Sequence, residues 1–273
     1  MTTAVENPFR FFSLHVVRTR RLGPSLVRVT FGGEDLRYFF SDGWDQSLSL
    51  FLPHPGQAEP RIPHELGEGW WQAWRELPDD ERAVMRSYTL RGLRREPDEI
   101  DIDFVLHEPA GHASAWAARA GAGDRVVLLG PAVADNRAIR FRPPEDTDLV
   151  LLWGDETALP AIAAVLEALP DGTPVRAWIE VRDAGDVLEL ETPADTEVTW
   201  LVGTPAAMAL DPIRDARLPA AQHPYVWIAG ESSSVKALRR HFVGERGIDR
   251  RRVTFVGYWR QGLTEEQLRE QGE

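Results

Sequence analysis

The feature that most constrains this chain is a change of hydrophobic rhythm at a stretch rich in proline and acid. Arg142-Pro143-Pro144-Glu145-Asp146-Thr147-Asp148 holds two prolines and three acids in seven residues. Proline fixes φ and removes an amide donor, and stretches of this composition separate domains. Before it, short β-branched runs alternate with turns; after it, strand-like runs alternate with helical ones. One uniform architecture cannot produce both patterns. The 273 residues therefore divide into domains at 1–142 and 149–273, with 143–148 as the linker.

In the first half, Leu14–Val17 and Leu26–Phe31 are apolar runs separated by Gly23-Pro24, and Leu48–Leu52 is stopped by Pro53. Ser87–Arg91, Ile100–His107 and Arg125–Leu129 continue the series. Short strands at this spacing predict an antiparallel barrel or sandwich. Trp70 and Trp74 stand four apart, on one face of an inserted helix, and are expected to pack inward rather than cover a ligand. A second helix is expected over Ala113–Ala120, between Pro109-Ala110-Gly111 and Gly121-Ala122-Gly123.

In the second half, Asp148–Trp153, Val175–Val181, Glu197–Val202, Tyr225–Ala229 and Val253–Tyr258 read as strands. Ala158–Leu169 and Ser232–Glu245 read as helices. That alternation predicts a mostly parallel sheet with crossovers, and such sheets bind ligands at the carboxyl ends of their strands.

Charge and composition exclude several functions. The net charge of −12 argues against nucleic acid or an anionic membrane as partner. Without cysteine there is no disulfide, thiolate zinc site, iron–sulfur cluster or cysteine nucleophile. Redox chemistry would then fall to an organic cofactor. The leading segment Met1–Phe12 lacks the apolar core of a signal peptide, and no run nears the roughly 18 apolar residues of a membrane span. Cytoplasmic residence is the expectation. Two look-alike motifs fail. His107 and His112 are five apart and separated by Pro109 and Gly111, so they form no helical zinc-protease motif. Gly230-Glu231-Ser232-Ser233-Ser234 lacks the closing glycine of a nucleophile elbow.

Three segments suit ligand chemistry. In Arg86-Ser87-Tyr88-Thr89, Arg86 and Tyr88 share a strand face. The guanidinium suits a phosphate, the ring a planar heterocycle, and Thr89 a ring edge. An amphipathic strand with a surface arginine fits the same letters. Gly111-His112-Ala113-Ser114 opens a helix whose first amides suit a pyrophosphate, with the Ser114 hydroxyl in reach; an ordinary helix start fits as well. Trp153-Gly154-Asp155-Glu156-Thr157 occupies the first βα turn of the parallel half, the preferred nucleotide position. Two acids there would repel a phosphate, so Asp155 and Glu156 are expected to cap the helix, and Thr157 is the better contact.

Taken together, Arg-x-Tyr-Thr, the stretch from His107 to Trp116, Gly154–Ile162, Gly230–Ser233 and Gly257–Gly262 resemble the siderophore-interacting proteins. These are flavin-dependent ferric-siderophore reductases related to ferredoxin–NADP reductases. The resemblance runs from Leu14 to Gly262 with the motifs in family order. It implies an FAD-binding antiparallel β-barrel followed by an NAD(P)H-binding α/β domain with a parallel sheet. On this chain it implies that Arg86, Ser87, Tyr88 and Thr89 hold the flavin and its phosphates. Val105 and His107 would lie along the cofactor, and Ala113 and Ser114 near the pyrophosphate. Thr157 would face the flavin–nicotinamide side, Gly230 and Glu231 would border the nicotinamide pocket, and Tyr258 and Trp259 would sit beyond the last strand. Where the family often has Gly or Pro, this chain has His112.

The resemblance also implies the reaction: NADPH or NADH reduces FAD, which reduces Fe(III) of a ferric siderophore and releases Fe(II). A ferredoxin is an alternative donor. Arg260, Arg137 and Lys236 are candidates to attract an anionic chelate, although solvated surface charge is the expected role of at least two of the three. Arg182, at the end of a strand, could meet a 2′-phosphate, against which Asp183 beside it argues. Other readings are a flavin reductase with another acceptor, or a non-enzymatic siderophore-binding or iron-handling protein.

Overall fold

The computed structural model describes residues 7–204, 210–263 and 267, so the first six residues of the leading segment lie outside the described residues. The chain divides into two compact units. One comprises residues up to Arg21 and Leu26–Ile139; the other comprises Leu22–Ser25 and the residues from Arg140 onward. Among the described residues, no helix is long and apolar enough to cross a membrane.

The first unit contains β1 (Phe9–Arg21), β2 (Leu26–Gly32), β3 (Ser47–Leu52), β4 (Val84–Thr89), β5 (Gly92–Arg94), β6 (Glu99–Val105) and β7 (Arg125–Pro131). They form one antiparallel sheet in the order β4-β3-β7-β1-β2-β6-β5. The sheet curls until Tyr88 on β4 meets Phe104 on β6, ring centroids 4.4 Å apart. Side chains rather than a ladder thus close the barrel, and Arg86 and Tyr88 lie at that seam. Helix α1 (Trp70–Glu76) is the inserted one. Trp74 is buried and donates from Nε1 to the Ala83 carbonyl, and Trp70 sets its edge on Phe11 with centroids 5.0 Å apart. Helix α2 (His112–Arg119) covers the barrel by stacking Trp116 over Phe31.

Period two in β6 explains its two faces. Ile100, Ile102 and Phe104 enter the core, while Glu99, Asp101 and Asp103 lie opposite and are buried under arginines. Arg28 makes a bidentate pair with Asp103, and Arg94 bridges Glu99 and Asp101. Strand β5 has three residues and was not expected, being too short to show a period.

The second unit contains β8 (Leu149–Gly154), α3 (Leu159–Ala168), β9 (Val175–Val181), β10 (Thr196–Val202), α4 (Asp211–Asp215), β11 (Pro224–Glu231), α5 (Ser232–Arg240) and β12 (Val253–Trp259). Its five strands are all parallel, in the order β10-β9-β8-β11-β12. The chain builds outward from β8 to β10, then returns to add β11 and β12 on the other side. The switch point therefore lies between β8 and β11. Both faces of β8 are covered, so it reads as a continuous apolar run. The helix expected to reach Glu245 is α only to Arg240, and a wider π turn follows over His241–Glu245. There His241 Nδ1 donates to Glu245 at 2.7 Å, and Arg246 Nε donates to His241 Nε2 at 3.2 Å. The stretch after Phe141 is held within this unit. The Arg142 amide donates to the Tyr225 hydroxyl, Asp146 pairs with Arg252, and Asp148 accepts from the amides of Gln222 and His223.

Candidate functional site

In the first unit, β4 and the start of α2 bring cationic and amide donors together. Period two places Arg86 and Tyr88 opposite Leu50 and Leu48 of β3, on the core-facing side. Ser87 is exposed on the other side, and Thr89 is buried at the strand end. Gly111 is the N-cap of α2 and supplies no side-chain cap. The first-turn amides, of His112, Ala113 and Ser114, have no intrahelical acceptor. Ser114 is buried and its Oγ accepts from the His107 amide at 3.1 Å, which fixes the turn between β6 and α2. Val105 ends β6 half-buried, and His107 is exposed, its Nδ1 donating to the Pro109 carbonyl at 2.8 Å.

His112 is explained by its ring. Nε2 donates to the Pro53 carbonyl at 3.0 Å, so the side chain turns back toward β3 and packs beside His54. Burial lowers its pKa, and the charges of His54, Arg86 and Arg119 act in the same direction. The bond to Pro53 opposes this shift, and the cations beside the ring are Arg86 and Arg119. This donor set suits a group that combines a flat ring with a diphosphate, as FAD does: a guanidinium and helix-start amides for the phosphates, Tyr88 for the ring.

In the second unit, the switch point is organised around Asp155. The carboxylate is buried at the end of β8. Its Oδ1 accepts from the Thr157 amide at 2.9 Å and from the Thr157 hydroxyl. Its Oδ2 accepts from the Glu231 amide at 2.8 Å and from Trp259 Nε1 at 2.7 Å. Three motifs far apart in sequence thus meet on one side chain. Burial raises the Asp155 pKa, and the four donated hydrogen bonds act in the opposite direction. Gly230 has φ +140, and a Cβ there would stand 2.5 Å from Asp155 Oδ2. Only glycine permits that approach. Glu231 caps α5 through the amides of Ser233 and Ser234. The β11–β12 register advances by one residue across Tyr258, pairing Gly230 with Gly257 and Glu231 with Trp259. That shift carries Trp259 to Asp155, and Ser232 Oγ then donates to the Trp259 carbonyl at 3.0 Å.

Two further acids flank the turn. Glu156 pairs with Arg182, and Glu180 accepts from Trp153 Nε1 at 3.1 Å. Burial pushes the Glu180 carboxyl up to about 7, the nearby Asp155 adds to this, and the Trp153 hydrogen bond opposes it. Glu180 was not singled out in the sequence. The available signal was a carboxylate near the end of an otherwise mostly apolar strand.

The structure groups Arg86, Ser87, Tyr88, Thr89, Val105, His107, Ala113 and Ser114 in the first unit, and Thr157, Gly230, Glu231, Tyr258 and Trp259 at the switch point of the second. The three candidate chelate cations are divided between the units. Arg137 lies in the first unit with its guanidinium over Phe9, whereas Lys236 is exposed on α5 and Arg260 follows β12.

Comparison with known proteins fits this division. Residues 15–135 match the siderophore-interacting FAD-binding domain, and residues 147–262 match the siderophore-interacting protein model. The chain is 32% identical over 267 residues to the ferric vibriobactin reductase ViuB of Vibrio cholerae, covering 94% of this chain and 92% of that one. It is 33% identical over 265 residues to the NADPH-dependent ferric-chelate reductase of Escherichia coli, covering 93% and 95%. The crystal structure of the siderophore-interacting protein SipS from Aeromonas hydrophila superposes with a TM-score of 0.77 at 31% identity, covering 97% of each chain. The chain belongs to the siderophore-interacting protein family, with the family's antiparallel FAD-binding barrel followed by its parallel-sheet α/β domain.

Proposed function

We propose that this family member is an FAD-dependent ferric-siderophore reductase that draws electrons from NADPH or NADH. The observation that carries the reading is the pair of family matches, FAD-binding then siderophore-interacting, on units whose own donor sets suit those tasks. FAD, when bound, links a two-electron donor to a one-electron acceptor. Over one cycle a nicotinamide nucleotide loses a hydride equivalent and two Fe(III) chelates become Fe(II), with one proton released. Hard oxygen ligands hold Fe(II) less well than Fe(III), so reduction frees the metal.

The protein's part is binding and alignment. Arg86 and the α2 amides of Ala113 and Ser114 hold the phosphates. Tyr88 would lie against the ring system with Thr89 at its edge, Val105 and His107 would lie along the cofactor, and Ser87, on the opposite face of β4, would contribute through its main chain. At the switch point, Thr157, Gly230 and Glu231 border the nicotinamide, and Asp155 holds Trp259 beside Tyr258. Arg260, Arg137 and Lys236 are the candidates to attract the anionic chelate, at least two of them being solvated surface charge. A ferredoxin is a second possible donor, and the cytoplasm is the proposed compartment. The proposed domains are 1–142 and 149–273, joined by 143–148.

The test is a coupled assay with purified chain, FAD, NADPH or NADH, a ferric siderophore and a colorimetric Fe(II) trap. Colour that requires protein, FAD and nucleotide together supports the reading. Tight chelate binding with no colour from either nucleotide or from a reduced ferredoxin contradicts it and leaves a binding protein.

A further inference from the structure

An ion pair joins the carboxyl ends of the first two strands of the parallel sheet. Glu156 follows β8 by two residues and Arg182 follows β9 directly. Arg182 Nε lies 2.5 Å from Glu156 Oε1, with the Glu156 side chain only 14% exposed and that of Arg182 49% exposed. The second Glu156 oxygen, Oε2, is buried and accepts no hydrogen bond. The neighbouring Asp183 accepts from the Gly185 amide at 2.7 Å. Asp155 and Glu180 stand near the same strand ends, burial raising the pKa of both and that of Glu180 to about 7.

The position gives the pair its meaning. In a doubly wound sheet the nucleotide crosses the switch point, and its adenosine ribose reaches the end of the second strand. An acid there suits a ribose 2′-hydroxyl, and an arginine suits a 2′-phosphate. Arg182 stands where an arginine would read that phosphate, but Glu156 already occupies its guanidinium. A 2′-phosphate would have to displace a carboxylate whose side chain is only 14% exposed. A 2′-hydroxyl carries no charge and displaces nothing.

We infer that the Glu156–Arg182 pair is a specificity determinant that makes this chain favour nucleotides with a free 2′-hydroxyl, NADH over NADPH. The inference rests on the nicotinamide donor of the proposed function. The probes are ADP-ribose and 2′-phospho-ADP-ribose, titrated calorimetrically into the full chain loaded with FAD. Wild type is expected to bind ADP-ribose more tightly. Glu156→Gln, which keeps the shape, is expected to tighten 2′-phospho-ADP-ribose about tenfold, the worth of one charge-assisted contact, and ADP-ribose less than about threefold. The double variant Glu156→Gln/Arg182→Gln should lose that gain. In turnover, Glu156→Gln should lower KM for NADPH with kcat unchanged.

Wild type binding the 2′-phosphorylated probe more tightly overturns the inference and needs no variant to read. So does a Glu156→Gln chain in which both probes shift alike. No binding of either probe, by wild type or variant, overturns the nucleotide donor itself and the inference with it.

Discussion

Trp259 donates its indole Nε1–H to Asp155 Oδ2 at 2.7 Å, across 104 residues of sequence. The carboxylate is buried at the switch point, while the indole it holds is 40% exposed on the edge strand. A fixed, partly exposed ring beside the nucleotide position follows from that one bond. Trp259→Phe should cost about 1–2 kcal/mol, because Asp155 loses a donor it cannot replace with water. Asp155→Asn should cost more, about 2–3 kcal/mol, since its amide group turns a donor toward a donor. Urea unfolding checks both. The Trp259 indole N–H resonance, identified by its loss in Trp259→Phe, should shift upfield in Asp155→Asn.

Glu180 gives a pH dependence with a definite sign. Its carboxyl is pushed from 4.5 up to about 7 in the folded chain, chiefly by burial. Between those values the native state holds a proton that the unfolded chain has released. Its contribution to stability therefore falls as pH rises from about 4.5 to about 7. Glu180→Gln removes the titration and keeps an acceptor for Trp153. Its Tm relative to wild type should rise steadily across that window and level off above it. A difference that is flat with pH contradicts the shift.

Arg94 holds two buried carboxylates on the outer face of the barrel, Glu99 and Asp101. Arg94→Met keeps the aliphatic stem but removes one ion pair from each acid, leaving Glu99 to Arg18 and Asp101 to the Thr30 hydroxyl. The expected loss is on the order of 2–3 kcal/mol at neutral pH, shrinking in acid as the carboxyls become protonated. Thermal unfolding at pH 7 and pH 4 reads both effects.

Arg86→Ala tests the flavin site. Loss of a charge-assisted phosphate contact should weaken FAD by roughly 10- to 100-fold. The Tm of the apoprotein should move little, because the side chain is not part of the barrel core. Flavin occupancy unchanged from wild type would place the phosphate elsewhere.

Much of this arrangement was legible in the sequence, for physical reasons. Period two put Arg86 and Tyr88 on one strand face, and the run Ile100–His107 marked a strand. The glycine turn before His112 announced the helix start. Asp155 and Glu156 were expected to cap the helix, but α3 starts after Ala158 with no side-chain cap: Asp155 closes a local turn onto Thr157 and Glu156 pairs with Arg182. The grip of Asp155 on Trp259 and its approach to Gly230 were not legible, since both depend on β8 and β11 being neighbours. The Glu156–Arg182 pair was hidden likewise, because strand order is a property of the folded sheet. Ser114 shows a different gap. Its hydroxyl was read as a ligand contact, and the structure shows that oxygen accepting from the His107 amide within the β6–α2 turn.

The measurement that tests the central claim most directly is an anaerobic absorbance titration of the FAD-loaded chain, first with NADH and then with a ferric siderophore. The account predicts flavin bands that bleach with the nucleotide and return with the chelate, while an Fe(II) trap gains two equivalents of colour per nucleotide consumed. Bands that bleach but do not return with any ferric chelate would contradict it.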